Sequence, residues 1–118
     1  MKLTQVAQHA DDLDRASNFY SALLGSSPTA RFDPPGLLFF DLEGVRLLLD
    51  DKAPTCLLYL QVDSLDAAIA RVPDAEVTTA AHMIFRHEDD SLGRAGSEEW
   101  QAFITDSEGN TVGLIELQ

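Results

Sequence analysis

Three histidines, one cysteine and a few polar residues set into apolar strands are the groups in this chain that could do chemistry. In "LTQVAQHA" (3–10), alternation puts Leu3, Gln5, Ala7 and His9 on one strand face and Thr4, Val6, Gln8 and Ala10 on the other. A histidine titrates near neutrality and can serve as acid, base or hydrogen-bond partner. In "CLLYLQ" (56–61) the same alternation groups Tyr59 with Gln61, and a tyrosine offers a flat ring and a hydroxyl. His82 opens the strand "HMIFR" (82–86), and Trp100 opens "WQAFITD" (100–106). His87, Glu88, Asp89 and Asp90 begin the acidic stretch "HEDDSLGRAGSEE", which has no recognised ligand spacing and reads as a solvated loop. Cys56 is expected to lie buried in a strand, facing helices, where a thiol behaves as a small apolar group. The chain has no G-x-S-x-G elbow, Walker loop, G-x-G-x-x-G or H-E-x-x-H, so hydrolase, NTPase, dinucleotide and zincin chemistries lack their residues.

The elements that must position these residues fit in 118 residues, of which 45% are hydrophobic, enough for one domain with its own core. A single cysteine allows no intrachain disulfide and fits a reducing compartment. With no signal-like start and no apolar run of membrane-spanning length, a cytoplasmic protein is the expectation. Eight Lys and Arg against 20 Asp and Glu give a net charge of −12, a field that repels phosphate backbones and anionic lipid. Neither nucleic acid nor membrane is an expected partner. A cationic ligand is compatible with that field, as is plain solubility.

Element order repeats. "DDLDRASNFYSALLG" (11–25) spaces Leu13, Ala16, Phe19, Tyr20, Leu23 and Leu24 as a helix behind an Asp11 or Asp12 N-cap and before Gly25. "SSPTARFDPPG" reads as loop or edge material, and "LLFFDL" and "VRLLLDD" flank "EG" as a hairpin. In the second half, a strand ending "LYLQ" leads to a helix capped by Ser64 with Leu65, Ala68, Ile69 and Val72 on one face, stopped at Pro73. "AEVTTAA" and "HMIFR" are strand material, and "WQAFITD" with "NTVGLIEL" closes the chain as a hairpin. "HADDLDRA" (9–16) lies over "QVDSLDAA" (61–68), and "DLEG" (41–44) over "DSEG" (106–109). The expected fold is α+β: two βαβββ modules, about 1–52 and about 53–118, whose paired curved mixed sheets carry helices outside and enclose a concave pocket.

With "DDLDRASNFYSALLG", "LYLQVDSLDAAIA" and "FITDSEGNTVGLIE" in this order, nearly the whole chain resembles the vicinal oxygen chelate superfamily of glyoxalases, bleomycin-resistance proteins and dioxygenases. The stretch from "HMIFR" to the last strand is also similar to small glyoxalase-like bacterial proteins. The resemblance implies a divalent metal held by His, Gln or Glu, one from each of four strands. By motif, those positions fall on Gln5, Leu47, Leu57 and Gly113, and only glutamine has a donor atom. A one-residue slip would exchange Leu47 for Arg46 or Leu48, neither of them a ligand. The expectation is therefore no metal and no cofactor. If Gln5 and Leu57 face inward, so do Ala7, His9, Tyr59 and Gln61. Gln5, His9, Tyr59, Gln61, His82 and Trp100 are the candidate ligand contacts, although a satisfied strand histidine and a rim tyrosine would leave the same pattern.

Two functions stand open at this stage. One is a metal-free binder of a small cationic or aromatic molecule, as drug-sequestering members of the resembled family are. The other is a lyase, epimerase or dioxygenase-type enzyme with an unusual metal set or with metal-free acid and base catalysis by His9. A homodimer is what the resemblance implies for assembly.

Overall fold

Each half of the chain builds one helix and one four-stranded mixed sheet. The computed structural model describes all 118 residues. The strands are β1 (Gln5–His9), β2 (Ala30–Phe32), β3 (Leu37–Leu42), β4 (Val45–Asp50), β5 (Leu58–Gln61), β6 (Val77–Arg86), β7 (Glu98–Thr105) and β8 (Thr111–Leu117), with helices α1 (Leu13–Leu24) and α2 (Leu65–Ala70). Two compact units result: Met1–Cys56 with Asp106–Asn110, and Leu57–Thr105 with Thr111–Gln118. Their sheets have the same topology, β1-β4-β3-β2 and β5-β8-β7-β6, the first pair parallel and the rest antiparallel. This is the twofold βαβββ repeat the sequence overlay implies. The overlay holds down to the helix caps, because aligned Asp12 and Ser64 each accept a bond from the backbone N–H three residues on.

In the first unit, α1 buries Ala16, Tyr20 and Leu23 at i, i+4 and i+7. They meet Leu38 and Phe40 of β3 and Leu47 and Leu49 of β4, all fully buried, and each such large side chain contributes roughly 1.5–3 kcal/mol. The β3–β4 hairpin turns through Glu43 (φ 50°) and Gly44 (φ 93°), the two positive φ values that a two-residue turn of this twist demands. β2, inside the stretch read as loop or edge, is a three-residue edge strand paired with β3.

Register corrects one expectation. Gln5 pairs with Arg46, and Val6 with Leu47, so Leu47 faces α1 rather than sharing a face with Gln5. Arg46 and Leu48 occupy the face that Gln5 presents. Cys56 is also not in a strand: it precedes β5, with both backbone groups held by the fully buried Gln8 side chain (Oε1 from Cys56 N and Nε2 to Cys56 O, each 2.8 Å). Burial, then nearby Asp106, pushes its thiol up, away from a reactive thiolate.

The "DSEGN" turn (106–110) completes the first unit as a polar core. Asp106 accepts the Tyr20 hydroxyl at 2.5 Å and the backbone N–H groups of Glu108 and Asn110 at 2.8 Å. Asn110 donates to the His9 carbonyl and accepts from Thr55. Glu108, its side chain shut off from solvent, accepts the N–H groups of Asp11 and Asp12 and the Arg15 guanidinium (2.7 and 3.0 Å). Burial alone would raise its pKa, yet the bonds from Arg15, Asp12 and Ser107 outweigh it and hold the carboxyl at about 2.

In the second unit the core is Leu58, Leu65, Ala68, Val72, Ala102, Ile104, Val112 and Leu114. Helix α2 ends at Ala70, shorter than its sequence pattern, and Glu116 of β8 accepts the Leu65 N–H at its start. "AEVTTAA" and "HMIFR" join into one ten-residue edge strand, β6, whose pairing with β7 is broken by register shifts. Glu98 and Glu99, read as loop, open β7. No helix is long and apolar enough to cross a membrane.

Candidate functional site

On the first sheet, the side chains turned away from α1 are Gln5, Ala7 and His9 of β1, Arg46 and Leu48 of β4, Phe39 and Asp41 of β3, and Phe32 of β2. Arg46 sits between Gln5 and Asp41 in register and turns to Gln5, donating Nε–H to Oε1 at 3.0 Å. Its guanidinium carbon lies 6.0 Å from the centre of the Phe39 ring, which meets Phe32 edge to face at 6.1 Å. Phe32, Phe39 and Arg46, with Thr29, Ala30, Phe40 and Asp41, line a pocket of about 420 Å³. A second hollow of about 360 Å³ is lined by Asp11, Asp12, Asp14, Asp33 and Asp51, with Arg31 bonded to Asp14 and Asp33.

His9 lies on this face with both ring nitrogens engaged. Nδ1 is 3.0 Å from the Ala53 carbonyl and Nε2 is 2.9 Å from an Asp11 carboxylate oxygen. Both partners are acceptors, so satisfying both takes two N–H groups, which is the imidazolium. Its pKa is raised accordingly, first by the Ala53 carbonyl and, against partial desolvation, by Asp11. In that form both ring N–H groups are taken up by protein acceptors.

On the second sheet, Tyr59 and Gln61 of β5, Gly113 and Ile115 of β8, and Glu99, Gln101 and Phe103 of β7 share the face away from α2. Tyr59, 51% exposed, meets Phe103 edge to face at 5.8 Å. Both rings close over Gly113: a β-carbon there would stand 2.7 Å from Tyr59 Cδ1 and 3.1 Å from Phe103 Cε1. The glycine in this strand is explained by that approach.

His82 pairs in register with Gln101 and is exposed, its Nδ1 3.0 Å from the Ala80 carbonyl. Gln61 is exposed at the end of β5. Trp100 is on the other face: neighbouring Glu99 and Gln101 point away from α2, so strand alternation turns Trp100 toward it, where it pairs with Glu116 and Met83 and donates to Glu98. The open faces thus gather Gln5 and His9 on one sheet and Tyr59, Gln61 and His82 on the other, without Trp100.

A buried polar pair was missed in the sequence. His87, expected in a solvated loop, is only 3% exposed, with Nε2 3.0 Å from Glu99, while Gln101 donates to the other Glu99 oxygen at 2.6 Å. Its ring meets Phe85 at a tilt, centroids 4.4 Å apart, and packs against Gly93, where a β-carbon would come within 2.7 Å. The signal was available in the β-rich run "HMIFRH" opposite "SEEWQAF", but the surrounding charges obscured it.

The residues at the implied metal positions do not fit a divalent cation. Gln5 spends its acceptor on Arg46, the face beside it presents a guanidinium and Leu48, Leu57 has no donor, and Gly113 lies under two rings. No group of three or more His, Cys, Asp or Glu side chains is arranged to hold a metal ion.

Comparison with solved structures shows the class. A lactoylglutathione lyase from Agrobacterium tumefaciens is 25% identical, matching 98% of this chain and 92% of its own at a TM-score of 0.65. TnmS3, an antibiotic binding protein from a Streptomyces species, is 23% identical over 100% of this chain and 97% of its own, TM-score 0.68. A glyoxalase/bleomycin resistance protein from Albidiferax ferrireducens is 20% identical over 96% and 97%, TM-score 0.65. The chain has the glyoxalase/bleomycin resistance fold of the vicinal oxygen chelate superfamily. No protein-family model and no curated sequence matches it.

Proposed function

We propose that this protein binds a small, flat aromatic molecule without a catalytic metal. The carrying observation is the pocket of about 420 Å³ on the first sheet, walled by Phe32 and Phe39, beside a glutamine already occupied by Arg46. Apolar walls with a few placed polar groups are what small-ligand sites are made of. The exposed Tyr59–Phe103 pair offers a second aromatic surface of the same character. Support also comes from likeness to TnmS3, described as an antibiotic binding protein.

The test is an NMR titration of chelator-treated protein with naphthalene-based probes, neutral and charged. Saturable shifts at Phe32 and Phe39, lost in Phe39→Ala while the remaining spectrum stays folded, are expected. Absence of binding by every probe at millimolar concentration overturns the reading.

A further inference from the structure

We infer that Arg46 is the ligand's polar anchor, and that the pocket on the first sheet takes aromatic molecules carrying a carboxylate or similar oxyanion; this rests on the binding role proposed above. The guanidinium is placed by two contacts, its Nε–H on Gln5 Oε1 at 3.0 Å and its central carbon over the Phe39 ring, 6.0 Å from the centroid. Those contacts use one of its five N–H donors. The one side-chain bond of Arg46 to protein is through Nε, which leaves the terminal amino groups for a ligand in the pocket that Arg46 lines with Phe32 and Phe39. A planar fork held at an aromatic wall matches a carboxylate on a flat ring, with two parallel N–H donors for its two oxygens.

Asp41, the other charge at the pocket, argues the opposite way, for a cationic ligand. It is in register with Arg46 yet makes no salt bridge with it, and its Oδ1 accepts the Gly44 N–H at 3.2 Å. Its carboxylate is thus partly committed to the hairpin turn, whereas the free donors of Arg46 are not committed at all. The net charge of −12 lowers the approach rate of an anion, but distant carboxylates are screened beyond a Debye length of about 8 Å at physiological salt.

The experiment compares naphthalene-2-carboxylate, its neutral carboxamide and naphthalen-2-ylmethylammonium, titrated by NMR into the wild-type protein and into Arg46→Met and Arg46→Lys. The carboxylate is expected to bind at least about tenfold more tightly than the carboxamide, with that preference abolished in Arg46→Met and only partly kept by Arg46→Lys, which cannot form the fork. The ratio of carboxylate to carboxamide affinity within each protein is the readout, and a dispersed amide spectrum matching wild type away from the pocket verifies that each variant is folded. Equal binding of carboxylate and carboxamide, or a preference for the ammonium probe, overturns the inference and leaves the aromatic-binding reading standing. Failure of all three probes removes both.

Discussion

The ring of Tyr59 lies across Gly113, with Cδ1 2.7 Å from where a β-carbon at 113 would stand. A side chain cannot be added there unless the half-exposed ring moves. Gly113→Ala is therefore expected to lower stability by about 1–3 kcal/mol through overpacking and to displace the Tyr59 ring from Phe103. In the Tyr59→Ala background the same change should cost much less. Denaturant melts of the four proteins in the cycle check this; additive costs would show that ring and glycine are not coupled.

Glu108 is the clamp on the start of α1, and its removal leaves two backbone N–H groups and Arg15 without their acceptor. Glu108→Ala should destabilise the protein by roughly 2–4 kcal/mol. Because the folded pKa lies below the ordinary value of 4.5, the contribution is present above that pH and is lost as pH falls toward about 2. Acid melts of wild type and variant should converge across that window, and a constant gap would contradict the clamp.

His9 should titrate above its ordinary 6.5, because both of its partners favour the charged ring. The sign follows: stability from the pair is present below pH 6.5 and declines as pH rises through the folded value. Asp11→Asn should move the NMR titration midpoint down. A wild-type midpoint at or under 6.5 would show that Ala53 and Asp11 do not hold the ring as described.

β6 is an edge strand ten residues long with Val77, Met83 and Ile84 exposed, an arrangement that invites a partner. A second copy of the chain is the expected occupant, so light scattering should return twice the chain mass at micromolar concentration. Ile84→Glu should shift it to the monomer mass. A wild-type monomer contradicts this expectation.

Much of this fold is written locally. The caps Asp12 and Ser64, the Glu43–Gly44 turn and the apolar faces of α1 and α2 are each set by neighbours in sequence, so period and turn chemistry reveal them. The site is less legible because it depends on register. Whether Leu47 or Arg46 stands beside Gln5 is a one-residue question that "VRLLL", a strand whose leucines fall on both faces, does not answer from pattern alone. Trp100 is a candidate contact by residue type alone, and only the β7–β8 register, which gives Glu99, Gln101 and Phe103 the open side, shows that it stands on the other. His87 and Glu99 are twelve residues apart across a charged loop, and only the β6–β7 pairing brings them to 3.0 Å. The register of Arg46 opposite Gln5 likewise explains why a glutamine in the expected place is not free to ligate.

The most direct test of metal-free binding is a calorimetric titration of chelator-treated protein with zinc, repeated with nickel, manganese and iron(II), under conditions where the protein is folded. The arrangement of Gln5, Arg46, Leu57 and Gly113 predicts no saturable site at micromolar metal. Binding near one ion per chain that is lost in Gln5→Ala would contradict it.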